Sequence, residues 1–108
     1  MDQGNLAITI DLSHGVAVLN LAGDIDAAAA PSLRSAIEVV LDQDARRLVF
    51  DVSRVSFTDS SGLAAFVYAW RRFDEQPGRV VIRGAGHSLL RLISITGLDA
   101  VLEGRSAS

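Results

Sequence analysis

The feature that most constrains the fold is an apolar run that leads through a polar turn into a helical repeat. The run Leu48-Val49-Phe50-Asp51-Val52 is nearly continuous in its apolar character, which is typical of a strand buried on both faces. The turn is Asp59-Ser60-Ser61-Gly62. Beyond it, apolar side chains recur at helical spacing at Leu63, Phe66, Val67, Trp70 and Phe73. A buried strand followed at once by a helix favours an α/β fold.

The N-terminal residues predict a β-hairpin. Residues 6–10 and 16–21 have strand character, and the turn at 13–15 separates them. Gly23 then interrupts the strand pattern. We therefore expect Asp24-Ile25-Asp26 to begin a loop.

Two more helices and a strand complete the pattern. Pro31 suits the first position of a helix, although residues 27–30 are all alanine and offer no polar cap. Residues 80–82 predict a strand, and apolar side chains between 89 and 96 recur at helical spacing. Gly97 has the properties of a residue that ends such a helix.

Together these elements predict one α/β domain over residues 1–108, in the order β-β-α-β-α-β-α. Strands that alternate with helices imply a mostly parallel sheet, here with an N-terminal hairpin and with helices packed on it. A short final strand is predicted at 100–102. Residues 103–108 are expected to form a frayed tail.

The composition narrows the possible partners. A formal net charge of −3 argues against a nucleic-acid binder, which would present a basic face. The absence of cysteine excludes disulfides and thiolate chemistry. Neither a signal peptide nor an apolar run long enough for a membrane span is recognisable. We therefore expect a cytoplasmic protein with no membrane insertion.

The Asp59-Ser60-Ser61-Gly62 turn has two interpretations. Aspartate and serine are common N-caps, so the turn could simply start a helix. Alternatively, its exposed hydroxyls could be modified. Ser61, Ala65, Tyr68 and Arg72 would share one helix face, which is either a binding surface or an ordinary solvated face. Helical geometry alone does not choose between them.

Signals for catalysis or metal binding are weak. Asp24 and Asp26 could bind Mg²⁺, but no second group of ligands accompanies them, so a solvated turn is favoured. The serine turn lacks the hydrolase Gly-x-Ser-x-Gly pattern. A nucleophilic Ser61 would need a nearby base, and neither His14 nor His87 is well placed for that by the predicted topology. The sequence therefore predicts no catalytic residue and no metal site.

The chain resembles the STAS domain family, and within it the bacterial anti-sigma factor antagonists. The similarity covers nearly the whole chain and rests on three segments. Residues 21–26 match the family's first-loop pattern, residues 51–63 its phosphorylation segment, and residues 89–98 its last helix and stop. The middle segment is the most specific of the three.

The resemblance implies a partner-switching mechanism. An unphosphorylated antagonist binds an anti-sigma factor that is itself a serine kinase, and the sigma factor is released. The kinase then phosphorylates the antagonist, which dissociates, and a serine phosphatase resets it. ATP would belong to the kinase, so no cofactor is expected in this chain. The same domain also occurs as a scaffold of stress-signalling complexes and as a subunit of lipid-transport ABC systems, which remain alternatives.

The resemblance also assigns site residues. The second serine of the pair carries the phosphate in the family, which implies Ser61 here rather than Ser60. Asp26 matches the loop aspartate near that serine, and Asp59 matches the residue before the pair. The predicted partner-binding residues are Asp24, Asp26, Asp59, Ser60, Ser61, Gly62, Ala65, Tyr68 and Arg72.

Overall fold

A computed structural model describes residues 5–96 of the chain. These residues form four strands and three helices in the predicted order. The elements are β1 (Leu6–Ser13), β2 (Val16–Ile25), α1 (Ala30–Asp42), β3 (Arg47–Thr58), α2 (Ser60–Arg72), β4 (Val80–Arg83) and α3 (His87–Thr96). The predicted strand at 100–102, the helix stop at Gly97 and the tail at 103–108 lie outside the described residues.

The strands form one mostly parallel sheet in the order β1-β2-β3-β4, which confirms the predicted fold. β1 and β2 are antiparallel, whereas β2–β3 and β3–β4 are parallel. His14 (φ 53°) and Gly15 (φ 79°) form the two-residue hairpin loop. Positive φ at both positions is the geometry of a type I′ turn, which matches the twist of the two strands.

The core lies between one face of the sheet and the helices. Leu19 of β2, Phe50 of β3 and Phe66 of α2 are fully buried. The rings of Phe50 and Phe66 are tilted, with centroids 4.9 Å apart, an arrangement that aromatic pairs favour. Burial of each large apolar side chain contributes roughly 1.5–3 kcal/mol. This packing fixes the helices over the sheet and so fixes where α2 begins.

The main correction concerns the end of β2. The strand continues to Ile25, so Asp24 lies inside it rather than in a loop. Gly23 (φ 117°) marks a shift in the β2–β3 register, which is the signature of a bulge. A Cβ at this position would lie 1.8 Å from the carbonyl oxygen of Asn5, so only glycine fits. The glycine therefore bends the strand instead of ending it.

β3 is also longer than predicted. It continues to Thr58, whereas β4 pairs only with its first part, from Leu48 to Asp51. The remainder of β3, from Val52 to Thr58, extends past the end of β4. This overhang carries the chain directly into α2.

Candidate functional site around Ser60 and Ser61

The site begins with the N-cap of α2. Asp59 is extended (φ −115°, ψ −166°), and its carboxylate accepts a hydrogen bond from the backbone N–H of Ser61 at 2.8 Å. The first N–H groups of a helix have no intrahelical partner, so this bond satisfies one of them. The capping interpretation of the turn is therefore confirmed for Asp59, and it leaves both serines on the first turn of the helix.

The ends of β2 and β3 bring the two acidic segments together. Ile25 pairs with Thr58, and the N–H of Asp59 donates to the carbonyl of Ile25 at 3.2 Å. Asp26 follows Ile25 directly, so it lies beside the Asp59–Ser61 turn. Strand alternation places Asp24 on the opposite face of the sheet from the buried Ile25. The structure thus brings Asp26, and not Asp24, into the same cluster as Asp59.

Asp26 also organises the start of α1. Its carboxylate accepts from the N–H of Ala29 at 3.0 Å, and its carbonyl accepts from Ala29 and Ala30. Ala29 is the N-cap residue and supplies no side-chain hydrogen bond. The expected absence of a polar cap among residues 27–30 is therefore confirmed. The polar group that serves this end of the helix lies upstream of the alanine run.

The two serines differ in exposure. Ser60 is exposed and Ser61 is partly exposed, so neither side chain is enclosed in the core. Next to them, Phe57 retains 54% of its surface exposed, and it is the one aromatic residue among the exposed large apolar side chains of residues 5–96. Sequence analysis did not assign Phe57 to the site. The signal in the sequence was the polar character of its neighbours, because Ser53, Arg54 and Ser56 are exposed as well.

Two predicted partner-binding residues are buried. Gly62 packs beneath the turn, where a Cβ would lie 2.6 Å from Cγ2 of Thr58 and 2.9 Å from Cγ2 of Ile25. Ala65 is completely buried in the core. Their role as contact residues stays a prediction, and in this structure both lie below the surface. Ala65 is covered because the helix face that carries Ser61 turns toward α1 one turn later. Gly62 instead allows α2 to sit close to the strand ends.

The rest of that face is tied to α1. Arg72 forms a two-bond pair with Glu38, with Nε–Oε2 2.7 Å and Nη2–Oε1 2.8 Å. The hydroxyl of Tyr68 donates a short hydrogen bond to the same carboxylate, and Arg34 lies over the Tyr68 ring at 5.9 Å. Glu38 escaped sequence analysis because it lies 30 residues from Tyr68, and no local pattern predicts that contact.

These contacts shift the titration of the groups involved. Hydrogen bonds from Arg72 and then Tyr68 lower the pKa of Glu38 to about 2. The same carboxylate raises the pKa of Tyr68. Because the Arg72 and Glu38 side chains are 47% and 36% exposed, water and salt screen the pair and its contribution to stability is small. The network therefore orients α1 and α2 more than it stabilises them.

The histidines lie in different places relative to the site. His14 is in the hairpin turn, which lies near the start of β3 because Val16 pairs with Arg47. Ser61 follows the end of β3, so His14 and Ser61 lie at opposite ends of this strand. His87 begins α3 and lines an open cavity together with Phe57 and Thr58. Among residues 5–96, no cluster of three or more potential ligands for a metal ion is present. Within the same residues, no helix has the length and apolar character to cross a bilayer.

Comparison with known protein families agrees with this architecture. The family model of the STAS domain matches residues 7–107, which is nearly the whole chain. The chain therefore belongs to the STAS domain family, and the resemblance deduced from its motifs is confirmed.

Individual relatives point to one branch of this family. The chain is 37% identical over 83 residues to an anti-sigma-B factor antagonist of Listeria monocytogenes, covering 77% of this chain and 73% of the relative. It is 30% identical over 99 residues to the anti-sigma-B factor antagonist of Bacillus subtilis, covering 92% and 90%. A crystal structure of an anti-sigma factor antagonist from Mycobacterium paratuberculosis superposes with a TM-score of 0.76 at 31% identity, covering 90% and 82%.

Proposed function

We propose that this protein is an anti-sigma factor antagonist that is switched by phosphorylation of Ser61. The observation that carries the proposal is the serine pair on the first turn of α2, capped by Asp59 and open to solvent, in a chain whose relatives are named anti-sigma factor antagonists. Unphosphorylated, the protein binds an anti-sigma factor and thereby frees the sigma factor. Its role is regulatory binding, not catalysis.

A phosphate on Ser61 is expected to affect binding more than folding. It adds about −1.5 to −2 charges at neutral pH. The N-terminus of α2 favours an anion by roughly 0.3–1 kcal/mol, whereas repulsion from Asp59 across about 6 Å of water is on the order of 1 kcal/mol. These two contributions nearly cancel in the free protein. At an interface, an unpaired buried charge costs several kcal/mol, which corresponds to a large loss of affinity.

The surface that we assign to the partner contains fewer residues than the surface predicted from the sequence. It consists of the exposed part of the cluster, which includes Asp26, Asp59, Ser60 and Ser61. Asp24 lies on the other face of the sheet, and Tyr68 and Arg72 are already engaged with Glu38. We therefore assign the primary contact to the strand ends and the first turn of α2.

The switch requires other proteins, and the resemblance to the anti-sigma factor antagonists implies which kinds. A serine kinase, which is the anti-sigma factor itself, binds ATP and transfers its γ-phosphoryl group to the Ser61 hydroxyl. A serine phosphatase removes the phosphate again. This chain would supply only the acceptor hydroxyl, without a cofactor of its own, and the exchange would take place in the cytoplasm.

The test is phosphoryl transfer from ATP by a candidate anti-sigma kinase, with the modified residue located by mass spectrometry. Ser61→Ala is expected to abolish modification, whereas the matched variant Ser60→Ala is expected to retain it. A phosphate found on Ser60 would reverse the assignment. Complete lack of transfer, together with capture of a transporter ATPase from the native host, would favour the ABC-system role instead.

Binding affinity provides the second arm of the test. Ser61→Ala is expected to bind the anti-sigma factor about as well as the unphosphorylated parent chain does. Ser61→Asp is expected to bind at least about tenfold more weakly while unfolding at a similar temperature. Equal affinities of the two variants, measured by calorimetric titration, would remove the proposed switch.

A further inference from the structure

Among residues 5–96, strand β1 lies at the edge of the sheet and its outer side is open. It pairs with β2 only, as the first strand in the sheet order. Because the type I′ hairpin makes Ser13 and Val16 a hydrogen-bonded pair, the backbone groups of Ala7, Thr9, Asp11 and Ser13 point toward β2. The N–H and C=O groups of Ile8, Ile10 and Leu12 consequently point away from the sheet. These groups could form the backbone hydrogen bonds to a further strand, and no such strand is present among the described residues.

Apolar side chains flank this open edge. Ile10 and Leu12 are 40% and 37% exposed, although their partners in β2, Leu19 and Ala17, belong to the core face. On α1, Val39 is 46% exposed. Val39 lies 100° around the helix from Glu38, which faces α2, and therefore points away from that helix, and α1 itself contacts β1. The edge thus combines unpaired backbone groups with an apolar strip on one face.

The usual protection of an edge strand is missing here. Monomeric sheet proteins commonly carry lysine, proline or a bulge on such a strand to prevent pairing. The sequence of β1, Leu-Ala-Ile-Thr-Ile-Asp-Leu-Ser, contains no lysine or proline, and its register with β2 has no shift. Its one charged residue, Asp11, is directed to the opposite face and accepts a hydrogen bond from Asn20 at 2.9 Å.

We infer that β1 pairs with β1 of a second copy of this chain, antiparallel about a two-fold axis at Ile10. This register sets Ile10 opposite the same residue of the other copy and sets Ile8 opposite Leu12. All three then form one apolar ladder on the core side. On the other face, Thr9 lies opposite Asp11, so like charges do not face each other. The pairing is self-complementary because each copy offers the same free backbone groups.

The dimer joins two four-stranded sheets into one continuous sheet of twice that size. Pairing at β1 leaves α2 uncovered, because the sheet order places β1 and β3 on either side of β2. The two Ser61 sites would therefore point to opposite ends of the dimer and would both be accessible. Dimerisation through β1 does not require phosphorylation of Ser61, so a test of the dimer is independent of the proposed function.

The first test measures the molar mass of the full chain by light scattering and sedimentation at concentrations up to millimolar. Twice the chain mass is expected. Ile10→Lys should weaken self-association by more than about a hundredfold, since two lysines would face each other across the axis. Ile95→Lys is the control, because Ile95 is 74% exposed on α3, and it should remain dimeric. A monomeric parent chain, or a dimer unaffected by Ile10→Lys, overturns the inference.

The second test fixes the register with single cysteines, which the cysteine-free chain makes unambiguous. Directly opposed Cα atoms in a hydrogen-bonded antiparallel pair are about 5.5 Å apart, within the range of a disulfide. Ile10→Cys should therefore form a covalent dimer on mild oxidation. Leu12→Cys has matched exposure but lies about 13 Å from its counterpart, so it should not. Crosslinking of Leu12→Cys in preference to Ile10→Cys overturns the register, and circular dichroism verifies that both variants fold.

Discussion

The helices α1 and α2 begin at the same end of the sheet but start in different ways. α2 has a side-chain cap of its own, because Asp59 binds the N–H of Ser61. α1 begins at an alanine without a side-chain cap and depends on Asp26, which binds the N–H of Ala29 from the preceding turn. The comparison shows that α2 has a sharply defined first turn on which a modified serine can be placed precisely. The start of α1 is set by the bend that follows β2.

The largest expected effect comes from filling the space beneath the first turn of α2. Gly62→Val should lower the free energy of unfolding by about 1–3 kcal/mol, because the added side chain collides with Thr58 and Ile25. Gly86→Val is the matched control, since a Cβ there meets nothing within 4 Å. Denaturant titrations that find the two variants equally stable would contradict the close approach of α2 to the strand ends.

Removal of the α2 cap should have the next largest effect. Asp59→Ala should cost about 1 kcal/mol, because the N–H of Ser61 loses its acceptor, whereas Asp59→Asn retains an acceptor oxygen and should cost less. Thermal unfolding of both variants measures the difference. If alanine and asparagine destabilise equally, the hydrogen bond is not the reason that Asp59 matters.

The corresponding change at α1 should be smaller. Asp26→Ala should cost roughly 0.5 kcal/mol, near the lower limit for loss of a cap, because the carbonyl of Asp26 still accepts from Ala29 and Ala30. Denaturant titration under the conditions used for Asp59→Ala gives the comparison directly. A cost for Asp26→Ala above that for Asp59→Ala would invert the relation between the two helix starts.

The Glu38–Arg72 pair between α1 and α2 predicts that the stability of the protein depends weakly on pH. The pKa of Glu38 is lowered from 4.5 to about 2, chiefly by its hydrogen bond from Arg72. The associated stability is therefore fully present above pH 4.5 and is lost as the pH falls toward 2. Because the pair is exposed, water and salt screen it and we expect a small effect on the free energy of unfolding. Glu38→Gln should reduce the fall in melting temperature between pH 5 and pH 2.5, and an unchanged slope would contradict this origin.

Local sequence patterns predicted much of this molecule. The apolar run at 48–52 and the helical repeat after Leu63 are strong periodic signals, and both elements are where they were predicted. The end of β2 was predicted wrongly, because Gly23 was interpreted as a strand end and not as a bulge fitted against Asn5. That contact depends on Asn5, which lies before β1 and comes close to Gly23 only when the hairpin has formed.

The candidate site shows the same division between local and long-range information. The cap at Asp59 follows from residue type and position alone. The burial of Ala65 and the bonds between Glu38, Tyr68 and Arg72 depend on how α1 packs against α2. Helical spacing groups residues on a face, but it does not reveal whether that face meets solvent or another helix.

The overhang of β3 beyond β4 has a consequence for how such a protein can diversify. The part of β3 that β4 covers holds buried residues such as Phe50, whereas the overhang carries Ser56 and Phe57 out to the surface beside the serine pair. If the serine pair meets a partner as proposed, substitutions at the exposed positions Ser56 and Phe57 would alter recognition with little effect on the hydrophobic interior. Duplicated copies in one genome could acquire separate partners through this segment while they keep an identical scaffold.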